Sequence, residues 1–171
     1  EGLGFFRSAQ RRKSGLAFID KLFLFVSAEI TEKELEALFV NEYHHATRLS
    51  ILGDRMENNL GGSIVMEGLA EYAVSEYCGI QYLAPWTVKH TADDVRSRLK
   101  SNYVPNIELE RDDPLHNRLL FGGGNMPKMA GYEAGYRIVK DYAEYKGVKT
   151  KALFFISAKE NLDRWEELDD R

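Results

Sequence analysis

Residues 41–45 read Asn41-Glu42-Tyr43-His44-His45, one residue away from H-E-x-x-H. In that pattern two histidines four apart bind zinc through one helical face, and the glutamate beside the first acts as general base. Here Asn41 takes the first place, His45 the second, and Glu42 the position of the base. At about 100° per residue, Leu35, Leu38, Phe39, Ala46 and Leu49 form one apolar stripe with Glu42 at its centre. A carboxylate in a buried face costs several kcal/mol unless a cation or hydrogen bonds offset it. Arg48 is one candidate for that charge, as an ordinary ion pair. A metal ion beside Asn41 and His45 is the other.

A second pair of acids repeats the oddity. Glu67 and Glu71 are four apart and share a helical face with Ile64, Val74 and Cys78, whereas Glu76 is expected to point outward. Glu67 follows His45 across the turn-rich stretch 58–62, so two antiparallel helices would set Glu67 beside His45. His45, Glu67 and a third ligand would then make a catalytic site with one position open to water. Glu71 would accept the free N–H of the liganding imidazole and so fix its tautomer.

Two long helices are needed to hold these side chains. Thr31 to Glu34 is a capping box that opens a helix to about Leu52, and Ser63 is expected to cap a second one to about Cys78, ended by Gly79. Before them, GLAFI at 15–19 and LFLFV at 22–26 read as strands of a small sheet of two or three. Pro85 to Lys100 suggests a third helix, 102–113 is polar and irregular, and FGGGNMP at 121–127 is a loop. Lys128 to Lys146 is a long helical pattern containing GYEAGY, and 149–171 holds one or two charged helices with EELDD as a solvated end. FGGGNMP lacks the Lys-Ser/Thr ending of a phosphate-binding loop. His44 falls nearly opposite Glu42 and is expected to face solvent. His90 and His116 lie in polar stretches and read as surface residues, a substitute ligand or oxyanion partner being the sharper alternative.

With 171 residues, 44% of them hydrophobic and 29% charged, the chain suits one domain over 1–171, and no repeat or linker divides it. A net charge of −4 argues against a basic surface for nucleic acid or anionic membrane, and Arg11-Arg12-Lys13 is too short a run to alter that. The longest apolar runs have five residues, far below the roughly 20 that span a bilayer, so this sequence contains no membrane segment. Cys78 stands alone, which rules out an internal disulfide and fits a reducing, cytoplasmic compartment. A start at Glu1 instead of methionine leaves an N-terminal extension to be expected.

Taken in order, NEYHHATRL, SIVMEGLAEYAVSEYCG and PKMAGYEAGYRIV lie between residues 41 and 139. They resemble the HEYHH segment, the EGLAE helix and the GYxxGYxIV helix of the YjaZ-like zinc proteases, known as domain of unknown function 2268. FLFVS and YLAPWT resemble the flanks, so the resemblance covers most of the chain. It implies a mostly helical α+β, zincin-like domain with a small N-terminal sheet. It also implies a zinc-dependent peptidase acting on peptide or protein, with His45 and Glu67 as ligands and Glu42 as base.

Asn41 departs from the family at a ligand position. Its amide offers only a neutral oxygen, whereas zinc favours imidazole and thiolate, so the site is expected to hold zinc more weakly. A weakened or altered metal site, a noncatalytic relative that binds a peptide or protein, and a deliberately removed histidine all fit. In a peptidase, Glu42 would take a proton from the attacking water, and Tyr132 or Tyr136 would donate to the tetrahedral oxyanion. Gly131 and Gly135, four apart, would let their helix approach its neighbours closely. A helical domain without a site is the third reading.

Overall fold

A computed structural model describes residues 13–169, with side chains to Trp165; Arg11, Arg12 and the EELDD side chains lie outside the described residues. The alternation in LFLFV makes a strand, β2 (Leu22–Val26), which pairs antiparallel with β1 (Lys13–Ala17). Lys13 stands opposite Val26 and Ala17 opposite Leu22. The hairpin closes through Phe18 N–H donating to Lys21 O at 2.8 Å, so β1 runs two residues earlier than GLAFI suggested. These are the two strands among the described residues.

Helix α1 (Glu32–Leu52) starts with the expected capping box. The Thr31 hydroxyl accepts from Glu34 N–H, and the Glu34 carboxylate accepts from Thr31 N–H at 2.9 Å, worth about 1 kcal/mol. Gly53, at φ 51°, ends it. Helix α2 (Leu60–Tyr77) begins earlier than expected, because Asn59 rather than Ser63 is the cap: its Oδ1 accepts from Gly62 N–H at 2.9 Å. The carbonyls of Leu109 and Ile107 accept from Leu60 and Gly61 N–H. Ser63 is thereby drawn inside the helix.

Helix α3 is shorter than Pro85 to Lys100 suggested, spanning Ala92–Arg98 before a π turn at Leu99–Tyr103. The reason lies in the preceding loop, where Ala84 and His90 N–H donate to the buried carboxylates of Glu71 and Glu133 instead of to a helix. Then follow α4 (Pro114–Phe121), α5 (Ala130–Lys146), α6 (Thr150–Leu153) and α7 (Ala158–Asp169). FGGGNMP forms a tight loop closed by a bridge between Gly123 and Met126.

Helix α2 packs against α1 on one side and α5 on the other. Leu60, Ile64, Leu69, Ile138 and Val139 are fully buried in this layer, each contributing about 1.5–3 kcal/mol. At the α2–α5 crossing the backbones touch. A Cβ on Gly135 would collide with the Ile64 carbonyl, and one on Gly68 with the Gly135 carbonyl. The expected close approach of α5 is thus made at Gly135 toward α2, while Gly131 lies against the backbone of Leu120 in α4.

Several expectations for individual side chains fail because distant segments cover α1 and α2. Leu35 and Phe39 are exposed, so the buried face of α1 is Ala37, Leu38, Glu42, His45 and Arg48. His44, expected in solvent, is 2% exposed and stacks on Phe154 with ring centroids 4.5 Å apart. Arg48 does not pair with Glu42; it donates to the carbonyls of Leu153, Phe154 and Ile156. Glu76, expected to point outward, accepts from the backbone and hydroxyl of Thr150 at 2.8 and 2.9 Å. His116 is buried, with its Nε2 3.0 Å from Ser63 Oγ, and His90 pairs with Glu133.

Candidate active site

Two contacts fix how α1 and α2 lie. His45 Nε2 is 3.3 Å from Glu67 Oε2, and Asn41 Nδ2 donates to Glu71 Oε1 at 3.4 Å. One turn back along α1 matches one turn forward along α2, so the helices run antiparallel, as the sequence led us to expect. Asn41, Glu42, Glu67, Glu71 and Tyr132 line a cavity of about 100 Å³, closed above by Lys13 to Gly15 of β1 and by residues 82–86. The backbone of β1 rests directly on Glu42: a Cβ at Gly15 would occupy the place of that carboxylate.

Helix α5 supplies the third wall through Tyr132, whose hydroxyl donates to Glu67. The glycine contact at Gly135 is what brings this residue, one turn away, within reach of α2. Trp86 and Phe121 pack around its ring. Tyr136 lies a further turn along and is also buried, but it does not line the cavity; its hydroxyl acts on Tyr72.

Three carboxylates and the adjoining His45 imidazole thus stand close together, and burial and charge move the proton affinities of Glu42, Glu71 and His45. Burial, aided by the Glu67 charge, pushes the Glu42 carboxyl up. Burial likewise pushes Glu71 up, against the pull of the Ala84 N–H and Thr87 hydroxyl, each donating at 3.1 Å. For His45 burial works downward, yet Glu67, Glu42 and Glu71 together outweigh it and the net shift is up. Tyr132 is held protonated, well above the usual phenol range, by burial and the Glu67 carboxylate. The cluster therefore carries excess negative charge that favours any cation.

Does zinc fit? Two donors about 2.0–2.1 Å from a tetrahedral ion stand roughly 3.3–3.4 Å apart, and the His45–Glu67 separation of 3.3 Å meets that. The third corner is where the fit weakens. Asn41 turns its amide nitrogen to Glu71, and among the described residues no three His, Cys, Asp or Glu side chains are placed to hold a metal ion. Glu71 is occupied by Asn41, Ala84 and Thr87 and reaches His45 through charge alone.

Sequence reasoning missed the residues that close the cavity. Lys13 lines it, and its charge favours ionised Glu71. Buried Glu133 accepts from His90 N–H at 2.8 Å and Arg98 Nη2 at 2.8 Å and lies 2.7 Å from His90 Nδ1. Together with Glu71 it anchors both ends of the loop over the site. An acid between the glycines of GYEAGY was a usable signal for Glu133; nothing in the sequence singled out Lys13 or Gly15.

A helical α+β domain with an acid-lined cleft, one of whose acids pairs with a buried histidine, is the class that fold and site define. The family described as predicted Zn-dependent protease (DUF2268) matches residues 6–163, and the chain belongs to it. It is 41% identical over 152 residues to the uncharacterised protein YjaZ of Bacillus subtilis (strain 168), covering 88% of this chain and 58% of that protein. It is also similar to the uncharacterised YjfC of the same organism, 27% identical over 117 residues, or 63% and 39% of the two chains. The chain thus spans less than two thirds of the length of either relative. No solved structure matches it significantly. No helix among the described residues is long and apolar enough to cross a membrane.

Proposed function

We propose that this domain is a zinc-dependent peptidase centre, with His45 and Glu67 as protein ligands, Asn41 as a weak third and Glu42 as general base. The single observation that supports it best is the pair of buried His45 and half-buried Glu67, set at metal-ligand spacing beside Glu42 and Glu71. Zinc, when bound, would supply Lewis acidity to a water and to a peptide carbonyl. Glu42, with its proton affinity already raised by burial, takes a proton from the attacking water and returns it to the departing amine. Tyr132 stays protonated at neutral pH and can donate to the oxyanion in a site that excludes water. Glu71 holds Ala84 and Thr87 over the cleft and keeps Asn41 oriented.

Asn41 supports a second reading, a noncatalytic member of the family that binds a peptide or protein in the same cleft. Its side-chain Nδ2 donates to Glu71 Oε1 at 3.4 Å without a metal. Hydrolysis of an unfolded protein substrate separates the two. A peptidase gains activity with added zinc, loses it on chelation and loses it in Glu42→Gln; a binding module shows none of these responses.

A further inference from the structure

His45–Glu67 and Asn41–Glu71 form two rungs between the antiparallel helices α1 and α2, at 3.3 and 3.4 Å. One turn further along each helix, the same register sets Ala37 and Leu38 of α1 opposite Val74 of α2, and all three line the cavity. The polar floor thus gives way to an apolar one about 6 Å beyond Asn41. The loop over the cleft follows the same order. Trp86 packs edge-on against Tyr132, the partner of Glu67, and Ala84 N–H donates to Glu71 at 3.1 Å. Tyr82 and Leu83 are left to wall the third rung, close to Val74, whose carbonyl accepts from Gly79 N–H at 3.2 Å. Lys13 lies at the rim, with Nζ turned to the Glu34 carbonyl at 3.5 Å.

Small side chains at Ala37 and Val74, each 2% exposed, leave this end of the cavity open. A dry apolar cavity of about 150 Å³ holds a benzene ring. The whole cleft measures about 100 Å³, so its apolar end has room for an aliphatic side chain and none for an aromatic one. The carboxylates of the neighbouring rungs repel an acidic side chain, and a buried charge there would lack water. Both functional readings of the cleft place a peptide in it, and this step rests on that. We infer that the third rung is a side-chain pocket that selects an aliphatic residue of the bound peptide, of valine or leucine size, with Val74 and Leu83 setting its limit.

Equilibrium titration of the metal-free chain tests this, using capped peptides that differ at one central residue: glycine, valine, leucine, phenylalanine or glutamate. The valine or leucine peptide is expected to bind at least about tenfold more tightly than the glycine one, and phenylalanine and glutamate no better than glycine. Val74→Ala and Leu83→Ala, each confirmed as folded by a thermal melt, should tighten the phenylalanine peptide at least about tenfold and leave the glycine one within about twofold. Leu83 is half-exposed, so its variant carries the test should buried Val74 prove necessary for folding. Equal affinities, a preference for glutamate, or a leucine preference that both variants leave unchanged would overturn the pocket while zinc-supported hydrolysis still upholds the peptidase reading. An aliphatic preference in a chain that zinc does not make hydrolytic would keep the pocket and overturn the peptidase reading. Failure of every peptide both to bind and to be hydrolysed would overturn the two together.

Discussion

His44 and His45 are neighbours on α1, both buried, and their surroundings move their proton affinities in opposite directions. His45 lies behind the cleft wall with its Nε2 3.3 Å from Glu67, and three carboxylates outweigh its burial and raise its affinity for a proton. His44 faces the seam between α1 and residues 153–156, where it stacks on Phe154, neither ring nitrogen has a partner, and burial, His45 and Arg48 all push it well down. Burial alone explains neither. The cleft is a polar space whose charges do not balance, while the seam is a packed joint whose cation, Arg48, is spent on three backbone carbonyls. Charges that do not balance in a cleft point to chemistry, and a cation held by backbone carbonyls in a packed seam points to stability.

That division is open to direct attack. Glu42→Gln should reduce zinc-supported hydrolysis by about 10²–10⁴-fold while leaving the thermal melt unchanged or raised, since it removes a buried charge; peptide assays beside calorimetry measure both. Arg48→Ala should do the reverse, costing about 2–4 kcal/mol of stability in denaturant titration through the orphaned carbonyls of the seam. Gly135→Ala forces α5 away from α2 and should cost about 1–3 kcal/mol; because Tyr132 moves with α5, hydrolysis should fall too.

The smallest effect is in pH dependence. His44 has a folded value well below its ordinary 6.5, so the unfolded chain takes the proton first. Its contribution to stability is complete above pH 6.5 and is lost as pH falls below it toward the folded value, with a slope of up to about 1.4 kcal/mol per pH unit. His44→Phe keeps the stack and should flatten that slope between pH 6.5 and 5 in denaturant titrations. His45 has the opposite sign: its raised value stabilises the fold below pH 6.5, and that stabilisation is lost as pH rises through the folded value.

Much of this was legible in the sequence for a physical reason. The capping box, the acid pairs at helical spacing and the glycines of GYEAGY are local signals, and they led to α1, α2, α5 and the antiparallel placement of His45 and Glu67. The environments of His44, Arg48, Glu76 and His116 were not legible. Each is decided by a segment distant in the sequence, such as residues 153–156 for His44 and Arg48, that no helical wheel includes. The early start of α2 escaped for a related reason: Ser63 is a good cap in isolation, but the carbonyls of Ile107 and Leu109 support the turn before it. Lys13 and Gly15 were invisible because their relevance comes from where β1 rests.

The most direct test of the cleft as a metal centre is elemental analysis after zinc loading and desalting, made on the chain and on its Asn41→His variant together. The variant is expected to retain about one zinc per chain, and the Asn41 form to bind with an affinity at least about 10–100-fold weaker. If both are folded and neither retains zinc above the level of an unrelated protein, His45 and Glu67 are an ordinary buried ion pair and the metal centre is refuted.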